Sequence, residues 1–430
     1  MRVLHVLHNS LPLLCGYSIR SGAIVRHQRQ QGLDPVVVTS AKNPNPTTAL
    51  VDNVDGITHF RTARLNRPSL PILHEQALMR TLHQRIEQVI RETRPDIVHA
   101  HSPVLVGMPA LRAARDHGLP FVYEVRDLWE NASVDRGKFR YNSPLYRLAR
   151  RLETRVLRGA DAVVTICDTL KDDLCSRMTD PSRVFVVGNG VDAEAFDPAT
   201  PDRDVRARWG LTGKQVIAYV GTFQPYEGLD LLVGALPQIL ARRPTAHLVI
   251  AGGSAGESTA AETSLQAQVD RLGLRSNVTF TGRLPHAMTS GVYAMSDVVA
   301  YPRRLTRTTA LTTPLKPLEA MAMGRAVVSS DVPAMRELVR DGENGVTFAA
   351  GQQEGLARGC VRLLEDAALR RALGERARAW AIGHRRWDAL VGRYHGIYDQ
   401  LAELTSFVEP RQADEIPVTH PLGAKGARCA

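Results

Sequence analysis

Short apolar segments alternate with longer helical segments along most of the chain, and this alternation restricts the possible folds more than any other feature. In the first half, segments that match buried strands lie at 2–8, 36–39, 96–101, 121–124, 162–165 and 184–187. Helical patterns, beginning with 19–31, separate them. Parallel strands need helical crossovers, so this succession predicts an α/β fold with a doubly wound sheet.

The alternation is interrupted once and then restarts. Residues 196–204 (FDPATPDRD) are rich in proline and aspartate and match a linker. Strand-like segments follow at 215–220, 247–250, 277–280, 298–301 and 326–329. A chain of 430 residues suits two domains of about 200 residues each. We therefore predict domains at 1–196 and 205–384, with a ligand site in the cleft between them, and a disordered tail at 408–430.

Composition narrows the class of partner. The net charge of +10 favours polyanions, whereas an aromatic fraction of 5% argues against stacking of single-stranded nucleic acid. The five cysteines form no C-x-x-C pair, which fits a reducing, cytoplasmic setting without a zinc site. Because no apolar run approaches the roughly 18 residues of a membrane span, we expect any membrane contact to be peripheral. No nucleic-acid partner is predicted.

The segment 136–158 stands out by its charge, with eight basic residues against the single acid Glu153. Its helix is predicted to begin at Pro144, a residue suited to the first helical turn. Helical spacing then places four apolar residues on one face: Leu145, Leu148, Leu152 and Val156. Two interpretations stay open: a surface for anionic lipid at the inner face of the membrane, or an ordinary amphipathic helix with a solvated basic face.

The run 313–324 (TPLKPLEAMAMG) carries the clearest chemical signal. Pro317 suits the start of a helix and Gly324 its end, so the amide groups at the helix start would form an anion site. Lys316 lies at this end and can neutralise a phosphate. Glu319, three residues later, suits hydrogen bonds from two ribose hydroxyls. The alternative for Glu319 is that it only complements the helix dipole.

This run resembles the donor-site signature of family four glycosyltransferases, which have the GT-B fold. Other features occur in the family's order: Gly16, 96–101, 189–192, 219–221, 251–253, 282–283, 330–331 and 341–345. The resemblance spans roughly residues 1–400. It implies two Rossmann-like domains that face each other across a cleft, with a C-terminal helix at about 385–404 packing back on the first domain.

A finer resemblance rests on 16–18, 124–129 and 313–316, which are similar to a subgroup associated with bacterial exopolysaccharide and exosortase (PEP-CTERM) systems. The resemblance implies a retaining transferase without a metal or other cofactor. It would move a sugar from a nucleotide-diphosphate sugar to a lipid-linked or growing polysaccharide acceptor. Asp202 and Asp204 form an Asp-x-Asp pair, but we interpret it as helix capping in the linker and predict no metal.

Three positions depart from the family's pattern. Leu311 stands where the family has the first glutamate of its signature, and Thr222 and Glu227 stand where it has the arginine and lysine that bind diphosphate. The missing positive charge must come from elsewhere, or the donor differs or binds weakly. The candidates for this charge are basic residues close to the signature: Arg303, Arg304, Arg307 and Lys316.

The resemblance and the residues together give the candidate site. The donor side comprises Gly16, Asn189, Gly221, Thr222, Gly252, Gly253, Arg283, Arg303, Arg304, Pro314, Leu315, Lys316 and Glu319. The acceptor side comprises Tyr17, Arg126, Asp127 and Glu130. Catalytic roles are assigned to His101, Asp127, Lys316 and Glu319.

Two of these residues follow buried strands and should face the cleft. His101 is expected to contact the transferred sugar, and Asp127 to orient the acceptor hydroxyl. The alternative for His101 is a structural histidine bonded to backbone. Gly16 is expected to let the backbone approach the donor phosphates. Two other functions stay open: a nucleotide-sugar epimerase or hydrolase on the same fold, and a non-catalytic sugar-nucleotide-binding protein.

Overall fold

The computed structural model describes residues 1–13, 15–43, 49–65, 71–199, 205–254 and 260–406. The predicted disordered tail at 408–430 and the pair Asp202 and Asp204 lie outside these residues. The described chain forms two sheets in succession, each flanked by helices. The predicted α/β architecture with two Rossmann-like units is confirmed.

The first sheet has eight described strands in the order β3-β4-β2-β1-β5-β6-β7-β8. Only the β3–β4 pair is antiparallel. The elements are β1 (Arg2–Leu7), α1 (Gly16–Gln30), β2 (Asp34–Thr39), β3 (Val51–Val54), β4 (Ile57–Arg61), α2 (Pro71–Thr93), β5 (Ile97–His101), α3 (Val104–Asp116), β6 (Phe121–Val125), α4 (Trp129–Asp135), α5 (Pro144–Gly159), β7 (Ala162–Thr165), α6 (Asp168–Cys175) and β8 (Val184–Val186).

The second sheet has six described strands, all parallel, in the order β11-β10-β9-β12-β13-β14. Its elements are α7 (Val205–Arg208), β9 (Gln215–Phe223), α8 (Leu229–Arg242), β10 (Ala246–Ser254), α9 (Ala260–Arg271), β11 (Val278–Gly282), α10 (Thr289–Met295), β12 (Val298–Tyr301), α11 (Arg307–Leu311), α12 (Lys316–Ala322), β13 (Ala326–Ser330), α13 (Pro333–Arg336), β14 (Val346–Phe348), α14 (Gln353–Glu365), α15 (Ala367–His384) and α16 (Trp387–Ser406).

The C-terminal helix belongs spatially to the first sheet. The sequence pattern extends over 377–404 as one helix, but the structure divides it into α15 and α16. The break occurs where Val191 exchanges backbone hydrogen bonds with Arg385 and Trp387, at 2.7 and 3.3 Å. Beyond the break, Trp387 and Tyr394 are buried in one hydrophobic cluster with strand residues of the first sheet.

Helix α5 begins at Pro144 as predicted, with the Ser143 side chain accepting a hydrogen bond from the backbone N–H of Tyr146. Only the C-terminal half of the predicted apolar face is packed. Val156 is buried and Leu152 packs against the hydrophobic core of the first domain, whereas Leu145 and Leu148 are 51% and 50% exposed. The other buried residues of the helix are Tyr146, Ala149, Glu153 and Leu157. None of the described helices combines the length and the apolar character that a membrane crossing requires.

Contacts between the two units fix where the cleft lies. Glu337, after α13, accepts hydrogen bonds from the backbone N–H groups of Asp168 and Thr169 at 3.0 and 2.8 Å. These are the first amides of α6, so a carboxylate of the second domain caps a helix of the first. Asp135 in turn accepts a hydrogen bond from the backbone N–H of Thr308 at 3.0 Å.

Candidate active site

Lys316 lies at the centre of the predicted donor site. Its Nζ donates a hydrogen bond to the Tyr219 hydroxyl at 2.8 Å and lies 3.3 Å from Oε1 of Glu227. The side chain passes directly over Gly221, whose φ of +150° favours glycine. A Cβ added at Gly221 would lie 2.2 Å from Cε of Lys316. Gly221 therefore provides the space that the lysine occupies.

Glu227 is buried and lies beside two cations, the buried Arg303 and the half-buried Lys316. Its side chain is 6% exposed, and Nε of Arg303 lies 3.7 Å from Oε2. Burial raises the pKa of Glu227, but the Lys316 ammonium and the Arg303 guanidinium outweigh it and hold that pKa below its ordinary value. The position at which the family has a lysine thus holds an ionised acid with two cations beside it. The cluster carries a net charge of about +1.

Glu319 is held by two groups that the sequence did not indicate. The Tyr293 hydroxyl donates to Oε2 at 2.8 Å, and Nε2 of His286 lies 3.7 Å from Oε1. The nearby Glu319 carboxylate raises the pKa of His286. A third tyrosine, Tyr301, donates from its hydroxyl to the Lys316 carbonyl at 2.8 Å. Aromatic hydroxyls thus fix both ends of the first turn of α12.

Of the three upstream arginines, only Arg303 contacts this cluster. Arg304 is ion-paired with Asp230 on α8, and the Arg307 guanidinium lies 3.5 Å from the centroid of the Tyr141 ring. The side chains of Arg304 and Arg307 are thus engaged outside the cluster, and their contribution of charge to the diphosphate site stays a prediction. Leu311, at the position of the missing glutamate, packs against the hydrophobic core of the first domain.

The remaining donor candidates border the same region or lie elsewhere. A Cβ added at Gly252 would lie 1.8 Å from the Gly221 carbonyl oxygen, and one at Gly253 would lie 3.2 Å from Cγ of Arg283. Thr222 is exposed at the end of β9. Gly16 begins α1, and among the described residues, apart from its chain neighbours and the backbone of its own helix, no heavy atom lies within 4 Å of the place its Cβ would take. That open space is compatible with close approach of a ligand to the backbone.

The loop before α12 faces the first domain. Asn189 donates from Nδ2 to the Thr313 carbonyl at 2.7 Å, and Leu315 packs against the cluster formed by α16 and the first sheet. Pro314 is half-buried between them. Asn189, which the resemblance assigned to the donor itself, therefore contacts the donor loop rather than the cleft.

On the acceptor side, Tyr17 and Asp127 are half-buried and adjacent. Burial raises the pKa of Asp127, although an interaction with the Tyr17 hydroxyl opposes this rise. The ring centroid of Tyr226, in the second domain, lies 5.9 Å from the guanidinium of Arg303. Burial raises the pKa of Tyr226, and the carboxylates of Glu227 and Asp127 add to that rise.

Three first-domain candidates point into the interior. His101 is 1% exposed; its Nε2 lies 3.0 Å from Nδ1 of His5, and Arg126 donates to its Nδ1. Glu130 is fully buried and paired with Arg177 at 2.7 Å. The expectation that His101 faces the cleft is wrong, and Arg126 and Glu130 are likewise engaged inside the domain. Burial lowers the pKa of His101 well below its ordinary value, so the ring is neutral.

Comparisons with known proteins identify the family of the chain. Residues 19–195 match the model of Glycosyltransferase Family 4, and residues 214–366 match that of Glycosyl transferases group 1. The chain is 30% identical over 316 residues to a D-inositol 3-phosphate glycosyltransferase of Salinispora arenicola, covering 71% of this chain and 68% of the relative. It is 26% identical over 405 residues to a GDP-mannose-dependent alpha-mannosyltransferase of Mycolicibacterium smegmatis, covering 92% and 98%.

A solved structure shares the fold over nearly the whole chain. The sucrose-phosphate synthase of Thermosynechococcus elongatus superposes with a TM-score of 0.77 at 19% identity, covering 94% of this chain and 99% of that one. Three observations indicate the same family: the two Rossmann-like units of the fold, the two family matches and the relative at 30% identity. The chain belongs to the GT-B glycosyltransferases of the group 1 and family 4 type.

Proposed function

We propose that this glycosyltransferase is retaining and metal-independent. In our proposal it transfers a sugar from a nucleotide-diphosphate sugar to a lipid-linked or growing polysaccharide acceptor in bacterial exopolysaccharide biosynthesis. The observation that carries the donor assignment is the Lys316–Glu227–Arg303 cluster beside Glu319, in which Glu227 and Arg303 are buried and Lys316 is half-buried. The retaining, metal-free chemistry and the exopolysaccharide role rest on the sequence resemblance. One relative's name, a GDP-mannose-dependent mannosyltransferase, supports a sugar nucleotide as donor.

Lys316 and Arg303 have the chemistry to stabilise the leaving diphosphate. As the bond from the sugar to the diphosphate breaks, negative charge develops on the departing oxygen, and a fixed cation in a water-poor site lowers that barrier. Glu227 holds the Lys316 ammonium in place before the donor arrives. Glu319 would accept hydrogen bonds from ribose hydroxyls, with Tyr293 fixing its carboxylate.

Asp127 would orient the acceptor hydroxyl from the opposite side of the cleft. Burial raises the pKa of the Asp127 carboxylate and so brings it closer to neutral pH. A group that accepts a proton is most effective when its pKa lies near the working pH. Tyr17, which interacts with Asp127, would fix the direction of the carboxylate. His101, in contrast, belongs to the interior network and takes no part in this proposal.

The exposed face of α5 supports a peripheral contact with an anionic membrane, from the cytoplasmic side. Leu145 and Leu148 project outward beside arginines that alternate with them along the helix: Arg147, Arg151 and Arg155. Within the described part of the chain, no ion pair involves these three arginines. Exposed leucines beside arginines without an ion pair are more typical of a surface that contacts a bilayer than of one that contacts only water.

Vesicle binding tests the membrane contact. The chain should sediment with vesicles that contain an anionic lipid and not with neutral ones, and the double variant Leu145→Glu, Leu148→Glu should lose this binding. Leu272→Glu is the matched control, because Leu272 is 43% exposed in the second domain. Equal binding of both variants would contradict the proposal.

Donor binding and product analysis test the transferase function. A ligand that binds only the native state raises the melting temperature, so a panel of sugar nucleotides should reveal the donor. Incubation of that donor without acceptor then separates the alternatives. Release of an epimer or of free sugar would favour an epimerase or hydrolase. Donor binding without turnover on any acceptor would favour a non-catalytic binding protein, a candidate that Thr222 and Glu227 support.

A further inference from the structure

The donor loop at 313–315 is anchored by the first domain as well as by its own, in which Arg303 donates to the carbonyl of the preceding residue, Thr312, at 3.0 Å. Asn189 is buried, and its Nδ2 donates to the Thr313 carbonyl at 2.7 Å. Two residues later, Leu315 packs against the cluster that α16 forms with the first sheet. Lys316 and Glu319 follow directly in the first turns of α12. The position of both residues relative to the first domain therefore depends on these anchors.

Arg20 determines which way the Asn189 amide points. Its Nη1 donates to Oδ1 of Asn189 at 3.1 Å. A guanidinium has donors and no acceptor, so the amide oxygen must face Arg20, and Nδ2 is then directed at Thr313. Arg20 is itself fixed by donation to the carbonyls of Val187 and Gly188 at 2.7 and 2.8 Å.

Glu124 joins this arrangement to the acceptor side. Its Oε1 accepts from Nε of Arg20 at 3.0 Å and from Nε of Arg126 at 2.9 Å. Arg126 continues to the Tyr17 carbonyl, to which its Nη1 donates at 2.7 Å. Tyr394 of α16 donates its hydroxyl to the other oxygen of the same carboxylate. One buried carboxylate thus connects to both halves of the candidate site.

We infer that Asn189, Arg20 and Glu124 are positioning residues that set the distance between the donor loop and the acceptor-side pair Tyr17 and Asp127. The inference rests on the proposed transferase function. Reacting groups must be placed closely, and a displacement of about 1 Å costs about a hundredfold in rate. The nucleotide contacts of Lys316 and Glu319 lie within the second domain, whereas transfer needs both domains. Loss of the anchor should therefore lower kcat far more than nucleotide affinity.

The variant Asn189→Asp isolates the contact to the loop. An aspartate keeps the size of the side chain and still accepts from Arg20, but it cannot donate to the Thr313 carbonyl. We expect kcat for sugar transfer to fall about 30- to 100-fold. The Kd of the nucleoside diphosphate, measured by calorimetry, should change less than about threefold, and the Tm should fall by an amount similar to that in Asn344→Asp.

Asn344→Asp is the matched control. Asn344 is also buried, and its Nδ2 donates to a backbone carbonyl, that of Leu338, at 3.0 Å. The same chemical change there should lower the Tm and leave kcat within about threefold. A kcat for Asn189→Asp within threefold of the unaltered chain would overturn the inference, as would a parallel loss of kcat and nucleotide affinity. An unaltered chain that binds no sugar nucleotide would overturn the proposed function and this inference with it.

Discussion

The ammonium of Lys316 lies 3.3 Å from the carboxylate of Glu227, although 88 residues separate the two in the sequence. Glu227 occupies the place of a diphosphate-binding lysine in the family's pattern. The structure brings a lysine to that place from α12, above the glycine of the loop after β9. The positive charge that is missing from the sequence at position 227 is therefore supplied by Lys316, which the fold places next to it.

Removing the acid of this pair should change the pH dependence of activity. Burial lowers the pKa of Lys316, and Glu227 opposes that shift by favouring the charged ammonium. In Glu227→Gln the opposition is lost, so the pKa of Lys316 falls further. We expect the alkaline limb of the kcat/KM profile to move to lower pH. A profile of the variant that superimposes on that of the unaltered chain would show that Lys316 does not need its partner to stay charged.

Glu153 should make the stability of the first domain depend on pH. Its pKa is raised to about 8, mainly by burial, and the Tyr123 hydroxyl donates to its Oε1 at 2.7 Å. The folded state therefore holds a proton that the unfolded state releases above pH 4.5, so stability falls as pH rises toward 8. The loss amounts to at most about 1.4 kcal/mol per pH unit.

The variant Glu153→Gln checks this assignment. A glutamine amide oxygen can still accept from Tyr123, and it carries no proton to release. The decline in Tm between pH 5 and pH 8 should be shallower in the variant, as followed by thermal melts in matched buffers. An unchanged decline would assign the pH dependence to other groups.

The cap that Glu337 places on α6 should contribute to the closed arrangement of the domains. Replacing a capping side chain by alanine typically costs about 0.5–2 kcal/mol. We expect Glu337→Ala to lower the Tm and to increase the radius of gyration measured by small-angle scattering. Glu337→Gln keeps one acceptor oxygen, so its Tm and radius of gyration should lie between those of Glu337→Ala and those of the unaltered chain. An unchanged radius in Glu337→Ala would mean that this cap does not hold the domains together.

The fold was largely readable from the sequence because most strands are buried on both faces and are therefore continuously apolar. β3 and β4 were missed: residues of β3 are alternately exposed at the sheet edge, so they lack such a run. β14 has only three residues. The buried face of α5 was predicted only in part. Val156 is buried as expected, but Leu145 and Leu148 are exposed, because Tyr146 and Ala149 also fit helical spacing with Val156 and are the residues that pack.

The site was readable only in part. Lys316 and Glu319 lie in a contiguous motif, so their types and spacing indicated them. Tyr293 and His286 approach Glu319 from other elements, and no local pattern marks them. His101 is the last residue of β5 and Asp127 follows β6, yet the side chain of His101 faces a buried cluster of polar side chains. The sequence shows that a residue lies at the end of a strand. It does not show whether the side chain of that residue faces the cleft or the interior of the domain.

The central claim is that Lys316 binds the donor diphosphate, and calorimetry with the nucleoside diphosphate of the identified donor tests it most directly. Lys316→Met should weaken binding at least tenfold and lower kcat about 10²–10³-fold, the usual cost of removing one group that stabilises developing charge. Arg304→Met is the control, since Arg304 pairs with Asp230 outside the cluster and should bind as the unaltered chain does. Equal Kd values for Lys316→Met and the unaltered chain would contradict the account.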